Sequence, residues 1–269
     1  MRFPIDGHEI DYEVRGEGRP VVMLHGLTVD RRVLEETCEP VLASADLRRI
    51  YLDLPGHGAS TGNRERASAD NLVAALAALT RELAGEQPCL FGYSYGGYLA
   101  QGLLREFPHA SGLFLACPVV EPDFAKRTVP LRHIAAEEPD LPFSSDPRER
   151  DAFDEIAVRR TREVLAGFQK VVHPANISAD LEFVAQTRGR YVMARPYLQA
   201  LVEFEGPASI VCGRHDHWAG FEDAARLVRV LRRADFAVVA DCGHLLPLEA
   251  PDRFRRALRE FVDRLGQTA

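Results

Sequence analysis

Short apolar runs alternate with amphipathic stretches along most of this chain. The runs predict strands that are buried on both faces, at residues 21–24, 47–52, 88–92, 113–117, 208–213 and 236–239. Hydrophobic positions at helical spacing predict helices at residues 31–42, 69–85, 97–107, 221–231 and 252–265. Such alternation requires crossover connections, so the pattern predicts an α/β fold with a mostly parallel sheet flanked by helices.

The pattern changes in two places. At the N-terminus, residues 2–5 and 8–14 flank an Asp-Gly pair, which predicts a β-hairpin. Residues 119–205 contain no clear buried strand, many prolines and amphipathic stretches rich in Arg and Glu, with the strongest helical pattern at 151–168. We therefore predict a core built from residues 1–118 and 206–269, with residues 119–205 inserted as a mainly helical cap.

Composition narrows the class of protein. The chain has 269 residues and a formal net charge of −7, and no basic face is apparent, so nucleic acid is not an expected partner. The five cysteines lack C-x-x-C spacing, which favours reduced thiols and a cytoplasmic location. No apolar run approaches the length of a membrane span. The sequence leaves the oligomeric state open.

One motif carries specific chemistry. Residues 92–96 read Gly-Tyr-Ser-Tyr-Gly, the G-x-S-x-G pattern of a nucleophile elbow, and they join a predicted strand to a predicted helix. In such an elbow the serine is held on a strained turn, so the hydroxyl of Ser94 would stand exposed above the sheet. Side chains at Gly92 and Gly96 would collide with that turn. Because a serine hydroxyl is a poor nucleophile, it needs a histidine base, which in turn needs a carboxylate.

Taken together, the motifs resemble the α/β-hydrolase fold family, as serine-nucleophile, cap-bearing hydrolases without a cofactor. The resemblance rests on His25-Gly26, the Gly- and Pro-rich turn at 53–60, the elbow, and the segments 213–216 and 243–244. The order Ser, Asp, His is the one this family uses. It implies a catalytic triad of Ser94, His244 and Asp216.

The same resemblance places an oxyanion hole at the backbone N–H groups of Leu27 and Tyr95. Glu121 and Asp123 are rival candidates for the acid, because some relatives place it after the preceding strand. His25 is expected to support the oxyanion loop through hydrogen bonds.

Several other residues have competing interpretations. His57 is expected to be a turn residue. His215 and His217 flank Asp216 at the spacing of a metal site, but no third ligand with matching spacing is evident, so no metal is expected. Trp218 is a candidate for lining the substrate pocket. Phe124, Phe143, Phe168 and Tyr191 of the cap suit the same pocket, although each also suits the core.

The predicted activity is hydrolysis of a small-molecule carbonyl substrate, above all a carboxylic ester, through an acyl-enzyme. Ser94 at the elbow argues against epoxide hydrolases and haloalkane dehalogenases, which carry aspartate there. A C–C bond hydrolase is an alternative. So is a proline-iminopeptidase-like enzyme, which would need carboxylates of the cap to hold a free amine. Glu203 and Glu205 are candidates for that role, and exposed charges before a strand are the competing interpretation. A hydroxynitrile lyase, a ligand-binding receptor and an inactive homologue also fit this fold.

Overall fold

The computed structural model describes residues 1–195 and 197–267. Every predicted strand is present, and the strands are β1 (Arg2–Ile5), β2 (His8–Arg15), β3 (Arg19–Leu24), β4 (Leu47–Leu52), β5 (Cys89–Tyr93), β6 (Gly112–Ala116), β7 (Ala136–Glu137), β8 (Arg159–Arg160), β9 (Ala208–Gly213) and β10 (Ala234–Val239). The helices are α1 (Arg31–Leu42), α2 (Ala69–Ala84), α3 (Tyr95–Leu103), α4 (Pro147–Ile156), α5 (Arg162–Gly167), α6 (His173–Ser178), α7 (Leu181–Gly189), α8 (Leu198–Glu203), α9 (Phe221–Ala225), α10 (Leu246–Glu249) and α11 (Pro251–Gly266).

The main sheet confirms the predicted α/β architecture. Among the described residues it holds eight strands in the order β1-β2-β4-β3-β5-β6-β9-β10. The strands from β4 to β10 in that order pair in parallel, and the predicted hairpin β1–β2 adds an antiparallel edge. The carboxyl ends of the parallel strands therefore meet at one edge of the sheet, which is where ligands bind in such sheets.

The sheet separates two hydrophobic layers. In β3, Val22 and Leu24 face the layer formed with α2 and α3, whereas Val21 and Met23 face the layer formed with α1 and α11. This alternation explains why the central strands are continuous apolar runs, since both faces are covered by helices.

Helix α3 begins earlier than the sequence pattern predicts. It starts at Tyr95, directly after Ser94, and ends at Leu103, whereas the prediction was 97–107. Gly96 and Gly97 lie in its first turn, where the backbone passes very close to other chain segments. A Cβ at Gly97 would lie 2.8 Å from the Cβ of Pro118.

The segment between β6 and β9 is built from short elements. It contains α4 to α8, a parallel pairing of β7 with β8, and a π-helical turn at Phe168–Val172. The continuous helix predicted at 151–168 is wrong, because α4 ends at Ile156 and the chain becomes extended. The amide groups of Val158 and Arg159 donate there to a carboxylate oxygen of Glu249, at 2.6 and 3.1 Å, instead of continuing a helix.

The described helices also bear on membrane insertion. Among them, none combines the length and the apolar character needed to cross a bilayer.

Candidate active site

Ser94 occupies a strained turn between β5 and α3. Its backbone angles are φ 55° and ψ −117°, in the region that side-chain-bearing residues rarely adopt. A Cβ at Gly92 would lie 2.5 Å from the carbonyl oxygen of Gly96, and a Cβ at Gly96 would lie 2.1 Å from the carbonyl oxygen of Leu24. Glycine is therefore required at both positions, as the elbow motif predicts.

Three side chains that are distant in sequence form one hydrogen-bonded chain. Nε2 of His244 lies 2.8 Å from Oγ of Ser94, and Nδ1 of His244 lies 2.8 Å from Oδ2 of Asp216. His244 follows β10, and Asp216 follows β9, so the parallel sheet brings both to the edge where Ser94 lies. All three side chains are buried, and the carboxylate of Asp216 is completely so.

The environment of Asp216 favours its ionised form. Burial alone would raise the pKa of this carboxyl, but the neighbouring His244 and the backbone N–H groups of Ala219 and Trp218 outweigh it and hold the pKa below its ordinary value. Both amides donate to Oδ1 at 2.9 Å. Oδ2 remains directed at His244, so Nδ1 carries the proton and Nε2 is left as an acceptor toward Ser94.

Two residues that the sequence reasoning missed hold the His244 loop. The hydroxyl of Tyr93 donates to the carbonyl oxygen of His244 at 2.8 Å. The buried carboxylate of Glu249 accepts from the backbone N–H of Gly243, in addition to those of Val158 and Arg159. Glu249 belongs to no local motif, and Tyr93 occupies a variable position of the G-x-S-x-G motif. Neither role is visible in the sequence, because each contact joins segments that are adjacent only in the folded chain.

The loop that follows β3 approaches the elbow closely. A Cβ at Gly26 would lie 3.1 Å from the Cβ of Ser94. His25 is fully buried, and its ring donates from Nδ1 to the carbonyl of Gly26 at 2.7 Å and accepts at Nε2 from the amide of Leu54 at 2.8 Å. These bonds support the loop as expected of His25.

The predicted oxyanion-hole donors are the backbone N–H groups of Leu27 and Tyr95. Within residues 1–195 and 197–267, neither donates a hydrogen bond to another group. Tyr95 is the first residue of α3, so its N–H belongs to the unsatisfied, partially positive end of that helix. Leu27 lines the same cavity as Ser94.

A cavity of about 1040 Å³ opens above Ser94 and His244. Of the predicted lining residues, Trp218, Phe124, Phe168 and Tyr191 contribute to its wall. Phe143 does not, and its ring packs instead 5.7 Å from that of Phe153. The remaining wall is largely apolar and includes Leu27, Val29, Val119, Ile156, Val172 and Leu245.

The rival acids have other partners. Glu121 accepts from the amide of Asp123 at 2.9 Å, and Asp123 pairs with Lys126 at 3.0 Å. The carboxylate that contacts His244 is that of Asp216.

Glu203 and Glu205 lie at the opposite edge of the sheet from Ser94. They line a surface depression together with residues at the amino ends of β3 and β6. Glu203 accepts from Gln199, and Glu205 lies 3.4 Å from Arg232. The assignment of these two carboxylates to an amine-binding role in the substrate pocket is therefore wrong.

His57, His215 and His217 are each engaged away from Ser94. The ring of His217 lies 2.8 Å from the carbonyl of Glu155, and that of His215 packs 4.3 Å from His133. His57 contacts the carbonyl of Pro55 at 3.0 Å, within the predicted turn. The two histidines that flank Asp216 thus point to different partners.

Comparison with known proteins agrees with this architecture. An alpha/beta superfamily hydrolase from Oenococcus oeni PSU-1 superposes with a TM-score of 0.88 at 27% identity, covering 96% of both chains. A thermophilic esterase from Thermogutta terrifontis superposes with a TM-score of 0.77 at 25% identity, covering 98% of this chain and 99% of that one. Human monoacylglycerol lipase ABHD6 is 23% identical over 284 residues, which cover 97% of this chain and 82% of that protein. The sequence pattern of the Alpha/beta hydrolase family matches residues 21–257, and the chain therefore belongs to this family.

Proposed function

We propose that this protein is a serine hydrolase that cleaves carboxylic esters of small molecules through an acyl-enzyme. The observation that carries the proposal is the hydrogen-bonded chain Ser94–His244–Asp216 at the floor of a cavity. A hydroxyl bonded to a neutral imidazole, with a buried carboxylate on its far side, is the arrangement that activates a serine for attack on a carbonyl.

In the first step His244 acts as a general base. Its Nε2 takes the proton from Ser94 as Oγ attacks the ester carbonyl, and Asp216 stabilises the imidazolium that forms. The carbonyl oxygen becomes an oxyanion, which the free N–H groups of Leu27 and Tyr95 bind. His244 then donates its proton to the leaving alcohol.

In the second step water hydrolyses the acyl-enzyme. His244 takes a proton from water, the resulting hydroxide attacks the acyl carbon, and Ser94 leaves with the proton returned to Oγ. Tyr93 and Glu249 act as positioning residues, because they hold the loop that carries His244.

The preference for an ester rests on two arguments. The wall of the cavity is largely apolar, which suits an acyl chain. The Thermogutta terrifontis protein is an esterase, and ABHD6 is a lipase, and both align with nearly the whole of this chain. We infer that residues 119–205 act as the cap that limits substrate size, and a cytoplasmic location remains a prediction.

Intact-mass analysis after treatment with a fluorophosphonate probe tests the proposal. We expect one adduct on the wild type and none on Ser94→Ala, together with hydrolysis of p-nitrophenyl hexanoate that the same variant abolishes. Ser68→Ala is the matched control, because Ser68 lines the same cavity but caps α2 instead of bonding to a histidine. An adduct that persists in Ser94→Ala, or wild-type protein that neither reacts nor turns over ester, would refute the proposal.

A further inference from the structure

Arg127 places a positive charge in the wall of the Ser94 cavity. Its guanidinium donates to the backbone carbonyls of Glu121 at 2.8 Å, Trp218 at 2.9 Å and Pro122 at 3.4 Å. It also lies 5.3 Å from the ring of Phe124 and 5.7 Å from that of Tyr191, both of which line the cavity. The side chain is thereby held in place before any ligand binds.

None of these partners neutralises the charge. Among the residues that the structure describes, Arg127 forms no ion pair with a carboxylate within 4.0 Å. The carboxylate of Asp123 has a lowered pKa, and its hydrogen bond to Lys126, at 3.0 Å, is the main cause. The charge of Arg127 contributes to the same lowering only as a lesser cause. A fixed guanidinium whose hydrogen-bond partners are all neutral can bind an anion without first releasing a carboxylate.

Trp218 connects Arg127 with the His244 side of the cavity. Its carbonyl accepts the bond from Arg127, and its ring packs 6.5 Å from that of His244. The indole Nε1–H is buried and has no hydrogen-bond partner among the described residues, although the side chain lines the cavity. That nitrogen has almost no accessible surface, so a ligand in the cavity would meet the guanidinium of Arg127 and not the indole N–H.

Other charged residues that line the cavity are either hydrogen-bonded to backbone groups or exposed at its rim. Asp70 accepts from the backbone amide of Ala194 at 2.7 Å, and Arg190 donates to the carbonyls of Arg64 and Glu65 at 2.9 Å. Glu155 and Arg188 have exposed side chains and lie at the rim, where solvent weakens their fields.

We propose that Arg127 forms a carboxylate-binding subsite, so that the preferred ester carries a second, ionised carboxyl group. This inference rests on the proposed ester hydrolysis and names the substrate class of the same site. A charge-assisted hydrogen bond of this type should change kcat/KM by about 10- to 100-fold.

The test uses esters that differ in the charge of one group. For the acyl side, the mono-p-nitrophenyl ester of adipate is compared with p-nitrophenyl hexanoate and with an analogue that ends in a trimethylammonium group. For the alcohol side, para-carboxyphenyl hexanoate is compared with the para-carbamoyl ester. Ser94→Ala supplies the background rate for each compound.

Four variants separate recognition from structure. Arg127→Gln should abolish the preference for the carboxylate ester, and Arg127→Lys should retain part of it. Trp218→Phe should preserve it, because phenylalanine keeps an aromatic ring against His244 and the backbone carbonyl that accepts from Arg127. Arg132→Gln is the matched control, because Arg132 also donates to a backbone carbonyl of this segment but does not line the cavity. The measured quantity is the ratio of kcat/KM for the carboxylate ester to kcat/KM for its neutral or cationic counterpart. A purely structural loss would lower kcat/KM for all esters together and leave this ratio unchanged.

We expect the wild type to favour the carboxylate ester by about 10-fold or more in at least one of the two series. Preference for the neutral or the cationic ester in both series, or a preference that survives in Arg127→Gln, would overturn the subsite. Calorimetric binding of adipate against hexanoate to wild type and Arg127→Gln gives an answer that does not depend on turnover. If no ester is cleaved but adipate binds through Arg127, the proposed function fails and the subsite stands.

Discussion

The buried His25 should make the protein sensitive to mild acid. Its ring lies in the core, where burial is the main cause that lowers its pKa from 6.5 to about 4, and the bond to the Gly26 carbonyl opposes this only in part. Protonation would also remove the acceptor at Nε2 that binds the amide of Leu54. The unfolded chain therefore binds a proton at His25 in a pH range where the folded chain does not.

The sign and size of the effect follow from this difference. Because the folded pKa is depressed, the stabilisation is fully present above the unfolded value of 6.5 and falls as the pH drops toward the folded value of about 4. The full loss is about 3 kcal/mol, and about 2 kcal/mol of it has occurred at about pH 5. That is a substantial part of the roughly 5–15 kcal/mol by which a folded protein is stable.

Urea unfolding of wild type and His25→Gln at about pH 7.5 and about pH 5 measures the effect. Other groups also titrate in this window, including His57, whose pKa burial lowers to about 4, and Asp53, whose pKa burial raises. The difference between the two proteins cancels most of their contribution. We expect the wild type to lose about 2 kcal/mol more than His25→Gln on acidification. An equal loss in both would refute the reasoning, and His109→Gln, at an exposed histidine, should behave as wild type.

Two further predictions concern the elbow and its carboxylate. Gly96→Ala should lower the free energy of unfolding by at least about 3 kcal/mol, because its Cβ would meet the carbonyl of Leu24, whereas Gly266→Ala, with open space around it, should be nearly neutral in the same urea titration. Asp216→Asn should lower kcat for p-nitrophenyl hexanoate on the order of 10³–10⁴-fold with unchanged circular dichroism, since an amide no longer holds His244 in the required tautomer. Activity near that of the wild type would remove Asp216 from the proposed mechanism.

The parts of the site that the sequence predicts are those governed by local sterics. Ser94 on a tight turn needs glycine at positions 92 and 96 whatever the rest of the chain does, so the motif is visible in five residues. The central strands are visible for a similar reason, because burial on both faces requires continuous apolar runs. The place where Ser94, His244 and Asp216 meet then follows from the parallel order of the strands that precede them.

The features that sequence reasoning misplaces depend on distant contacts. Residues 151–168 have a helical pattern, yet the helix ends at Ile156 because Glu249, some ninety positions away, accepts the amide protons of Val158 and Arg159. Glu249 also binds the amide of Gly243, so one buried carboxylate joins the segment between β6 and β9 to the His244 loop. Helical propensity is a weak preference, and a buried charge that needs hydrogen-bond donors overrides it.

The difference between local sterics and distant contacts explains why the class of reaction is easier to predict than the substrate. Ser94, Asp216 and His244 follow the ends of parallel strands, where strand order alone brings them together. Arg127 and Trp218 are 91 positions apart, and their contact depends on how an irregular segment packs over the sheet. No periodicity marks Arg127 among the many arginines of that segment, and only the folded structure shows that it faces the cavity without an ion-pair partner among the described residues. Under the proposed function, substrate choice would therefore be governed by contacts between segments and not by a motif.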